Sequence, residues 1–354
     1  MSAIVLLGLF LQVGTASAAS PSSCGSWSIV SSPDSGLYDE LDGVAAISAN
    51  DVWAVGFLTL PNPGGTQTLI QHWNGSKWSI VSSPNPGSEF NQLYGVAAIS
   101  ANDVWAVGYD YSGSGNGQAL FEHWDGTQWS VVPGPNPGVD VELSGVVALS
   151  TNNVWAVGSL IEHWDGTQWS VVPSPSGDSL NGVAAISAND IWAVGRSFSG
   201  KYHTLTEHWN GTQWSVVSSA NVGNGKSLFG GVAATSSNDV WAVGFRRNSK
   251  TLIEHWNGTQ WKIVPSGKVA GGFNGIVAIS TSNAWAVGFY VPSKRLFQTL
   301  IEHWDGSSWS VVSSPGAGSY SNLKAISVVP GTNNLWAVGL REKGNQGTLI
   351  EYYC

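Results

Sequence analysis

Residues 93–133 read LYGVAAISANDVWAVGYDYSGSGNGQALFEHWDGTQWSVVP, and close copies of this stretch fill most of the chain. The most regular part is a VWAVG-like segment whose tryptophan recurs at intervals of 37 to 52 residues, as Trp53, Trp105, Trp155, Trp192, Trp241, Trp285 and Trp336. A unit of this length cannot bury its own apolar face and must stack on its neighbours, which is typical of propellers and solenoids. The copies therefore predict one repeat architecture for the 354 residues.

Each unit is predicted to form four short strands. GVAAIS suits a strand buried on both faces, and Ala101, Asn102 and Asp103 supply a polar turn before VWAVG. A variable loop then leads to LFEHW, after which Asp125 and Gly126 fit the type I′ hairpin that returns as QWSVV. Four antiparallel strands repeated seven times predict an all-β, seven-bladed β-propeller.

The tryptophans follow the same scheme. All 20 fall on the second strand, on the third strand or at the start of the fourth, so none is left over for a specialised site. Stacked aromatic rows between neighbouring blades are their expected role.

The two ends of the chain are predicted to share one blade. Residues 349–354 match a third strand, and residues 24–30 match the fourth strand that should follow it. In this alignment Cys354 and Cys24 take two positions of the missing turn. They are the only cysteines in the sequence, and we predict that they form a disulfide in an exported protein. A lipoprotein anchor at Cys24 is the alternative, although residues 21–23 lack the leucine and small-residue pattern of such sites.

The N-terminus predicts export. Residues 1–19 read as a signal peptide, with an apolar stretch from Ala3 to Val13 and small residues at positions 16–18. That stretch is shorter than the ~20 apolar residues that span a bilayer. We therefore predict a secreted, extracellular protein with no membrane span.

Residues 20–354 are predicted to form a single domain. Its blade cores are residues 41–82, 93–133, 143–173, 180–218, 228–265, 273–313 and 322–353, with residues 26–31 completing the last of them.

Composition argues against nucleic-acid binding. Charged residues make up 10% of the chain and the net charge is -9. A protein that neutralises phosphates needs a positive field, so nucleic acid is not an expected partner.

The paired signatures GVAAISANDVWAVG and LIEHWDGTQWSVVPSP resemble the WAVG/HWDGTxW repeat proteins predicted among exported proteins of soil-dwelling filamentous bacteria. The resemblance covers essentially all of the mature chain and implies a propeller and export, without a substrate. The sequence departs from WD40 repeats, which carry Gly-His and Trp-Asp pairs, and from kelch repeats, which carry a double glycine. It also departs from the sialidase box, because Asp and Gly are adjacent here.

Six histidines recur before the third-strand tryptophan, at His72, His123, His163, His208, His255 and His303. A group present in nearly every blade is expected to be a structural histidine bonded to a neighbouring carboxylate or backbone carbonyl. Propeller symmetry also holds equivalent histidines apart, so we expect no metal and no cofactor. The sequence shows no Ser-His-Asp order, paired carboxylate motif or nucleophilic cysteine, and the catalytic residues, if any, are not assigned.

Loop variation indicates where function lies. The second-to-third loops and the blade-to-blade connections vary, and both lie at one end of the ring, here called the variable face. The last four blades concentrate basic residues there, while the first three are acidic, which could orient a charged ligand. Charge for solubility alone is the alternative. The candidate ligand-binding residues are Arg196, Lys201, Arg246, Arg247, Lys294, Arg295 and Arg341.

The mouth of the central channel is a second candidate. The residue before the first-strand glycine differs between blades, which suits a small polar or cationic ligand, although plain solvent lining is the alternative. These residues are Asp42, Tyr94, Ser144, Asn181 and Asn274, and in the seventh blade Lys324 is expected to replace the glycine itself.

Three functions follow from this sequence. The first is a non-catalytic binding module for carbohydrate or another extracellular polymer, because near-identical blades give multivalency and hydroxyl-rich, aromatic loops suit sugars. The second is an extracellular lyase or hydrolase with its site on the variable face, which would need convergent acid and base groups. The third is a structural protein of the cell surface. The sequence does not determine the oligomeric state.

Overall fold

The computed structural model describes residues 24–61, 64–220, 225–247, 250–267, 269–293, 296–316, 318–343 and 345–354. The predicted signal peptide, Lys294 and Arg295 lie outside these ranges. All regular elements of the described residues are β-strands. Within those ranges, no helical segment has the length and apolar character needed to cross a membrane.

After one N-terminal strand, the strands occur along the chain as six groups of four and a last group of three. The first half of the chain contains β1 (Trp27–Ile29), β2 (Tyr38–Ser48), β3 (Asp51–Thr59), β4 (Thr66–Trp73), β5 (Trp78–Val81), β6 (Phe90–Ser100), β7 (Asp103–Tyr111), β8 (Gln118–Trp124), β9 (Trp129–Val131), β10 (Leu143–Ser150), β11 (Asn153–Gly158), β12 (Ile161–Trp164) and β13 (Trp169–Val172). The second half contains β14 (Ser179–Ser187), β15 (Asp190–Phe198), β16 (Tyr202–Trp209), β17 (Trp214–Val216), β18 (Ser227–Ser236), β19 (Asp239–Arg246), β20 (Lys250–Trp256), β21 (Trp261–Ile263), β22 (Gly271–Ser280), β23 (Asn283–Ser293), β24 (Leu296–Trp304), β25 (Trp309–Val312), β26 (Tyr320–Val328), β27 (Leu335–Lys343) and β28 (Asn345–Tyr353).

Consecutive strands pair antiparallel in four-stranded units, numbered here as blades one (β2–β5) to six (β22–β25) in chain order. Blade seven consists of β26, β27 and β28, and β1 pairs antiparallel with β28, placing Trp27 opposite Tyr353. A single parallel bridge between Tyr38 and Gln346 links blades one and seven. The N-terminal strand thus completes the C-terminal blade.

The apolar core lies between blades. The buried residues form seven clusters, each made by two neighbouring blades. Trp53 of blade one meets Trp129 of blade two edge-to-face at 5.3 Å, which is the predicted aromatic row. One cluster joins Leu41 of blade one to Trp336 of blade seven, so the first and last blades pack against each other.

Every innermost strand carries a β-bulge at the same place, and this corrects one prediction. In blade one the register shifts between Leu41 and Gly43, so Asp42 is the extra residue. In blade seven the shift lies between Leu323 and Ala325, which makes Lys324 the equivalent of Asp42. The prediction that Lys324 replaces the glycine was therefore wrong. The fully buried Leu323 pairs with Gly339 and fixes the register, and Ala325 takes the glycine position.

The bulge glycines lie where neighbouring innermost strands come closest. A Cβ atom on Gly43 would lie 3.0 Å from the Tyr94 carbonyl oxygen of the next blade, and one on Gly275 would lie 3.1 Å from the Ala325 Cα atom. A Cβ atom at these positions would require the neighbouring strand to give way by a few tenths of an ångström. The bulge residue before each glycine is re-aimed into the central channel, because a bulge changes the direction of the side chain.

Candidate functional site

The β15–β16 hairpin of blade four extends onto the variable face. Phe198 pairs with Tyr202, and a tight turn joins them, in which the Ser199 amide donates to the Lys201 carbonyl at 3.1 Å. Gly200 in this turn has φ +75°, a left-handed conformation that favours glycine. The hairpin therefore presents a fixed pair of aromatic rings at its tip.

Two cations lie over one of these rings. The Arg196 guanidinium carbon is 4.8 Å from the Tyr202 ring centroid, and the Lys226 Nζ atom is 5.8 Å from it. Phe198 contacts the same ring at 5.3 Å and is 63% exposed. Both distances fall within the ~6 Å range of cation–π attraction.

Arg247 lies beside this cluster because its backbone amide donates to the Lys226 carbonyl at 2.6 Å. Near the tip, the carboxylate of Asp178 contacts the hairpin, since its Oδ1 accepts the Phe198 amide at 3.3 Å. The cluster is called the blade-four patch below, and it consists of Arg196, Phe198, Lys201, Tyr202, Lys226 and Arg247.

The structure does not gather all the predicted basic residues. Arg246 lines a separate cavity of about 480 Å³ in blade five, together with Lys250 and Ser266. Arg341 lies on β27 of blade seven, opposite Ser321 and Gly347. Arg196, Lys201 and Arg247 thus lie in or beside the blade-four patch, whereas Arg246 lines the blade-five cavity and Arg341 lies in blade seven.

The predicted channel residues all line one central cavity of about 420 Å³. The cavity is bordered by the seven bulge residues Asp42, Tyr94, Ser144, Asn181, Gly230, Asn274 and Lys324, and by the Glu142 side chain. Lys324 Nζ contacts Glu40 Oε1 and lies 3.6 Å from Asp42 Oδ1. The Tyr94 hydroxyl donates to Gln92 Oε1.

Burial and neighbouring charges shift the pKa values of three residues that line this cavity. Burial, with the neighbouring Glu40, raises the pKa of Asp42 well above its usual value, although Lys324 opposes the shift. Burial together with the carboxylates of Glu142, Asp42 and Glu40 raises the pKa of the Tyr94 phenol. Burial lowers the pKa of Lys324, but the carboxylates of Asp42 and Glu40 outweigh it and raise that pKa above its usual value. Lys324 is therefore held as a cation among carboxylates.

The recurrent histidines have the structural partners that were predicted. His123 Nε2 lies 2.9 Å from Asp103 Oδ1. The same hydrogen bond joins His72 to Asp51, His208 to Asp190 and His255 to Asp239. In blades three and six an asparagine replaces the aspartate. Asn153 Oδ1 there accepts from both His163 and Trp155, each at 2.9 Å. No cluster of three or more His, Cys, Asp or Glu suited to a metal occurs within the described ranges.

The glutamate of the EHW motif is buried in blade after blade, and the sequence did not predict a role for it. Glu207, Glu254, Glu302 and Glu351 accept hydrogen bonds from the loop of the preceding blade, for example from Ser219 Oγ to Glu254 at 3.2 Å. Within the described part of the chain, the carboxylates of Glu122 and Glu162 have no partner. Burial raises the pKa of Glu122 to about 8 and that of Glu162 to about 7.

The predicted disulfide is not formed in the structure. Cys24 and Cys354 are free thiols, and a hydrogen bond between them raises the pKa of Cys354. The Gly25 amide donates to the Cys354 carbonyl at 2.7 Å, so a backbone hydrogen bond closes the missing turn. The two thiols are nevertheless neighbours at the β1–β28 junction.

Sequence reasoning missed the aromatic half of the blade-four patch and the carboxylates that flank the bulges. Phe198 and Tyr202 flank a Ser-Gly-Lys turn, which could have predicted a hairpin with both rings on one face. Glu40 and Glu142 lie two residues before a bulge residue, and the two-residue period of a strand places them on the channel side.

Comparison with known proteins defines the fold. No protein-family model matches the sequence, and no curated protein sequence matches it either. The chain is similar in structure to known β-propellers. YCF48 bound to D1 peptide is 15% identical, with a TM-score of 0.62 over 94% of this chain and 100% of that one. YCF48 from Cyanidioschyzon merolae is also 15% identical, with a TM-score of 0.61 over 93% of this chain and 99% of that one.

A third solved structure, the SapL1 lectin in complex with alpha methyl fucoside, is 16% identical, with a TM-score of 0.49 over 80% of this chain and 100% of that one. The YCF48 structures confirm the propeller predicted from the repeat. At this level of identity the likeness concerns the fold alone. The resemblance to exported WAVG/HWDGTxW proteins stays a prediction.

Proposed function

We propose that this protein is a secreted, non-catalytic binding module that recognises an acidic polysaccharide on its variable face. The observation that carries the proposal is the pair of cations, Arg196 and Lys226, held over the Tyr202 ring beside the exposed Phe198. Planar guanidinium groups bind carboxylate or sulfate in a bidentate manner, and exposed aromatic rings offer an apolar face to a sugar.

The charge distribution supports an anionic ligand at this patch. The whole chain has a net charge of -9, so its average field repels polyanions. The blade-four patch concentrates four cations, and the carboxylate of Asp178 contacts it through the Phe198 amide. A focused patch on an acidic protein favours a specific acidic ligand over general polyanion adhesion.

Export and ring closure belong to the same proposal. The signal-like segment 1–19 would deliver the chain to the extracellular space, where acidic polysaccharides occur. The pairing of β1 with β28 would keep the seven blades in one ring and hold the hairpins of the variable face in fixed positions.

A double variant tests the proposal. We expect Arg196→Gln with Lys226→Gln to weaken binding of polygalacturonate about tenfold, a change of about 1.4 kcal/mol, and to reduce its salt dependence. The matched control is Lys77→Gln with Lys262→Gln, which removes the same charge from exposed sites away from the patch. The proposal fails if the two double variants bind alike across a salt titration, or if the parent binds no acidic polysaccharide.

A further inference from the structure

The central cavity presents mainly hydrogen-bond acceptors. The Asn181 amide nitrogen donates to the Phe229 carbonyl at 2.6 Å, and the Asn274 amide nitrogen donates to Asn322 Oδ1 and the Leu323 carbonyl, at 2.8 and 2.7 Å. The two bonds of Asn274 use both of its amide N–H groups and Asn181 uses one of its two, so each side chain keeps its carbonyl oxygen for a ligand. Both residues line the cavity.

The charged groups of the cavity also favour a ligand that donates hydrogen bonds. The acidic side chains of Asp42 and Glu142 line it, together with the single ammonium of Lys324, which Glu40 contacts from outside the lining. Among the described residues, the buried Asp42 Oδ2 atom has no hydrogen-bond partner. The Glu142 side chain is exposed to the cavity and forms no ion pair in the described part of the chain. Because Glu40 and Asp42 already engage Lys324, the Glu142 carboxylate is the negative charge that the described residues of the site leave unmatched.

Tyr94 contributes an aromatic face to the same space. It lines the cavity beside Asp42, and its hydroxyl is turned to Gln92 Oε1. A cation in the cavity would meet both this ring and the carboxylates. An anion would meet only Lys324, which Glu40 and Asp42 already engage.

We propose that the central cavity is a second binding site, distinct from the blade-four patch, for a small organic cation that carries a primary ammonium or guanidinium group. Such a group offers several N–H donors, which match the amide oxygens and the carboxylates. A cavity of about 420 Å³ suits a small molecule. The ligand of this site has the opposite charge to the polysaccharide proposed above, so either proposal can fail alone.

The test compares two ligands of similar shape, n-butylguanidinium and the neutral n-butylurea, by saturation-transfer NMR and calorimetric titration. We expect the cation to bind at millimolar concentration and the urea to bind at least about tenfold more weakly. Equal binding of the two, or no binding of the cation by the parent, overturns the proposal.

Two variants locate the site. Glu142→Gln should weaken n-butylguanidinium several-fold, and because Glu142 is exposed the variant should fold normally. Glu342→Gln, which removes an exposed carboxylate that does not line the cavity, should leave the affinity unchanged. Asp42→Asn is the second probe and should weaken the cation further. The cavity assignment is wrong if Glu142→Gln and Asp42→Asn both bind as the parent does.

Discussion

The ring of Phe121 occupies the space that a side chain at residue 134 would need, since a Cβ atom on Gly134 would lie 2.3 Å from Phe121 Cε2. Phe121 is fully buried and stacks on Trp169 at 4.2 Å. Other blades combine a smaller residue with serine at the equivalent positions, as in Ile301 with Ser314. The Ser314 hydroxyl donates to Glu351 of the next blade, at 2.9 Å. Blade two lacks this hydroxyl, which explains why Glu162 of blade three has no partner among the described residues.

Phe121 and Gly134 should therefore be strongly coupled. We expect Gly134→Ser alone to destabilise the protein by roughly 1–3 kcal/mol, because the core is already filled. Phe121→Ile makes room, and in the double variant the serine reaches Glu162. Urea unfolding of the four proteins in the cycle should give a coupling of at least about 1 kcal/mol. Additive effects would show that the two positions are independent.

Glu122 should make the protein less stable as the pH rises. Its pKa is raised by burial from 4.5 to about 8, so the folded protein keeps a proton that the unfolded chain releases. Stability from this group is full below pH 4.5 and is lost as the pH rises to about 8. Glu122→Gln should remove this loss. The free energy of unfolding of the variant, relative to the parent, should therefore be roughly 2–4 kcal/mol higher at pH 8 than at pH 5.

The protein already has a glutamine at this position in blade one, where Gln71 is the equivalent of Glu122. The control is Glu254→Gln, whose carboxylate accepts bonds from Ser219 and Ala220, and no comparable gain is expected there. Unfolding curves measured from pH 5 to pH 8 decide the matter. If the difference in unfolding free energy between Glu122→Gln and the parent does not vary with pH, the prediction is contradicted.

The histidine network should accept asparagine in place of aspartate. Asp103→Asn reproduces the arrangement around Asn153, where one amide oxygen accepts from both histidine and tryptophan, so we expect a stability change below about 1 kcal/mol. Asp103→Ala leaves His123 without its partner and should cost about 1–3 kcal/mol. Thermal melts compare the two variants, and equal losses would contradict the proposed role of the oxygen.

Replacement of the histidine itself should separate stability from binding. His123→Gln is expected to lower the melting temperature, because the ring packs against Trp105, with 4.5 Å between the centroids, and bonds to Asp103. Binding of polygalacturonate should stay as in the parent. A selective loss of binding with an unchanged melt would assign His123 to a ligand site.

Oxidation should join Cys24 to Cys354. The thiols are in hydrogen-bond contact at the β1–β28 junction, so little backbone movement is needed. A link that closes nearly the whole chain should stabilise it by roughly 2–5 kcal/mol. Intact mass and melting temperature, measured with and without reductant, test this, with Cys24→Ser as the control. Free thiols that persist in the purified protein without reductant would contradict the prediction.

The sequence predicted the strands and turns because each residue of the repeat has an equivalent in the other blades. It failed where one blade departs from the pattern. Lys324 was aligned with the bulge glycine of the other blades because blade seven has no glycine there. The burial of Leu323 fixes the register and places Ala325 at that position. The contact of Lys226 with Tyr202 joins two blades, and no local pattern reports such a pair.

The sharing of every apolar cluster between two blades has a consequence for how the molecule can gain or lose repeats. In an open row, the number of shared cores is one fewer than the number of blades, and two apolar faces stay bare. Here blade seven packs on blade one, so the cores equal the blades and neither face is left uncovered. Deleting a blade would remove two cores and leave two faces that must meet at a new angle. A duplication or deletion is therefore tolerated only if all the remaining angles adjust together.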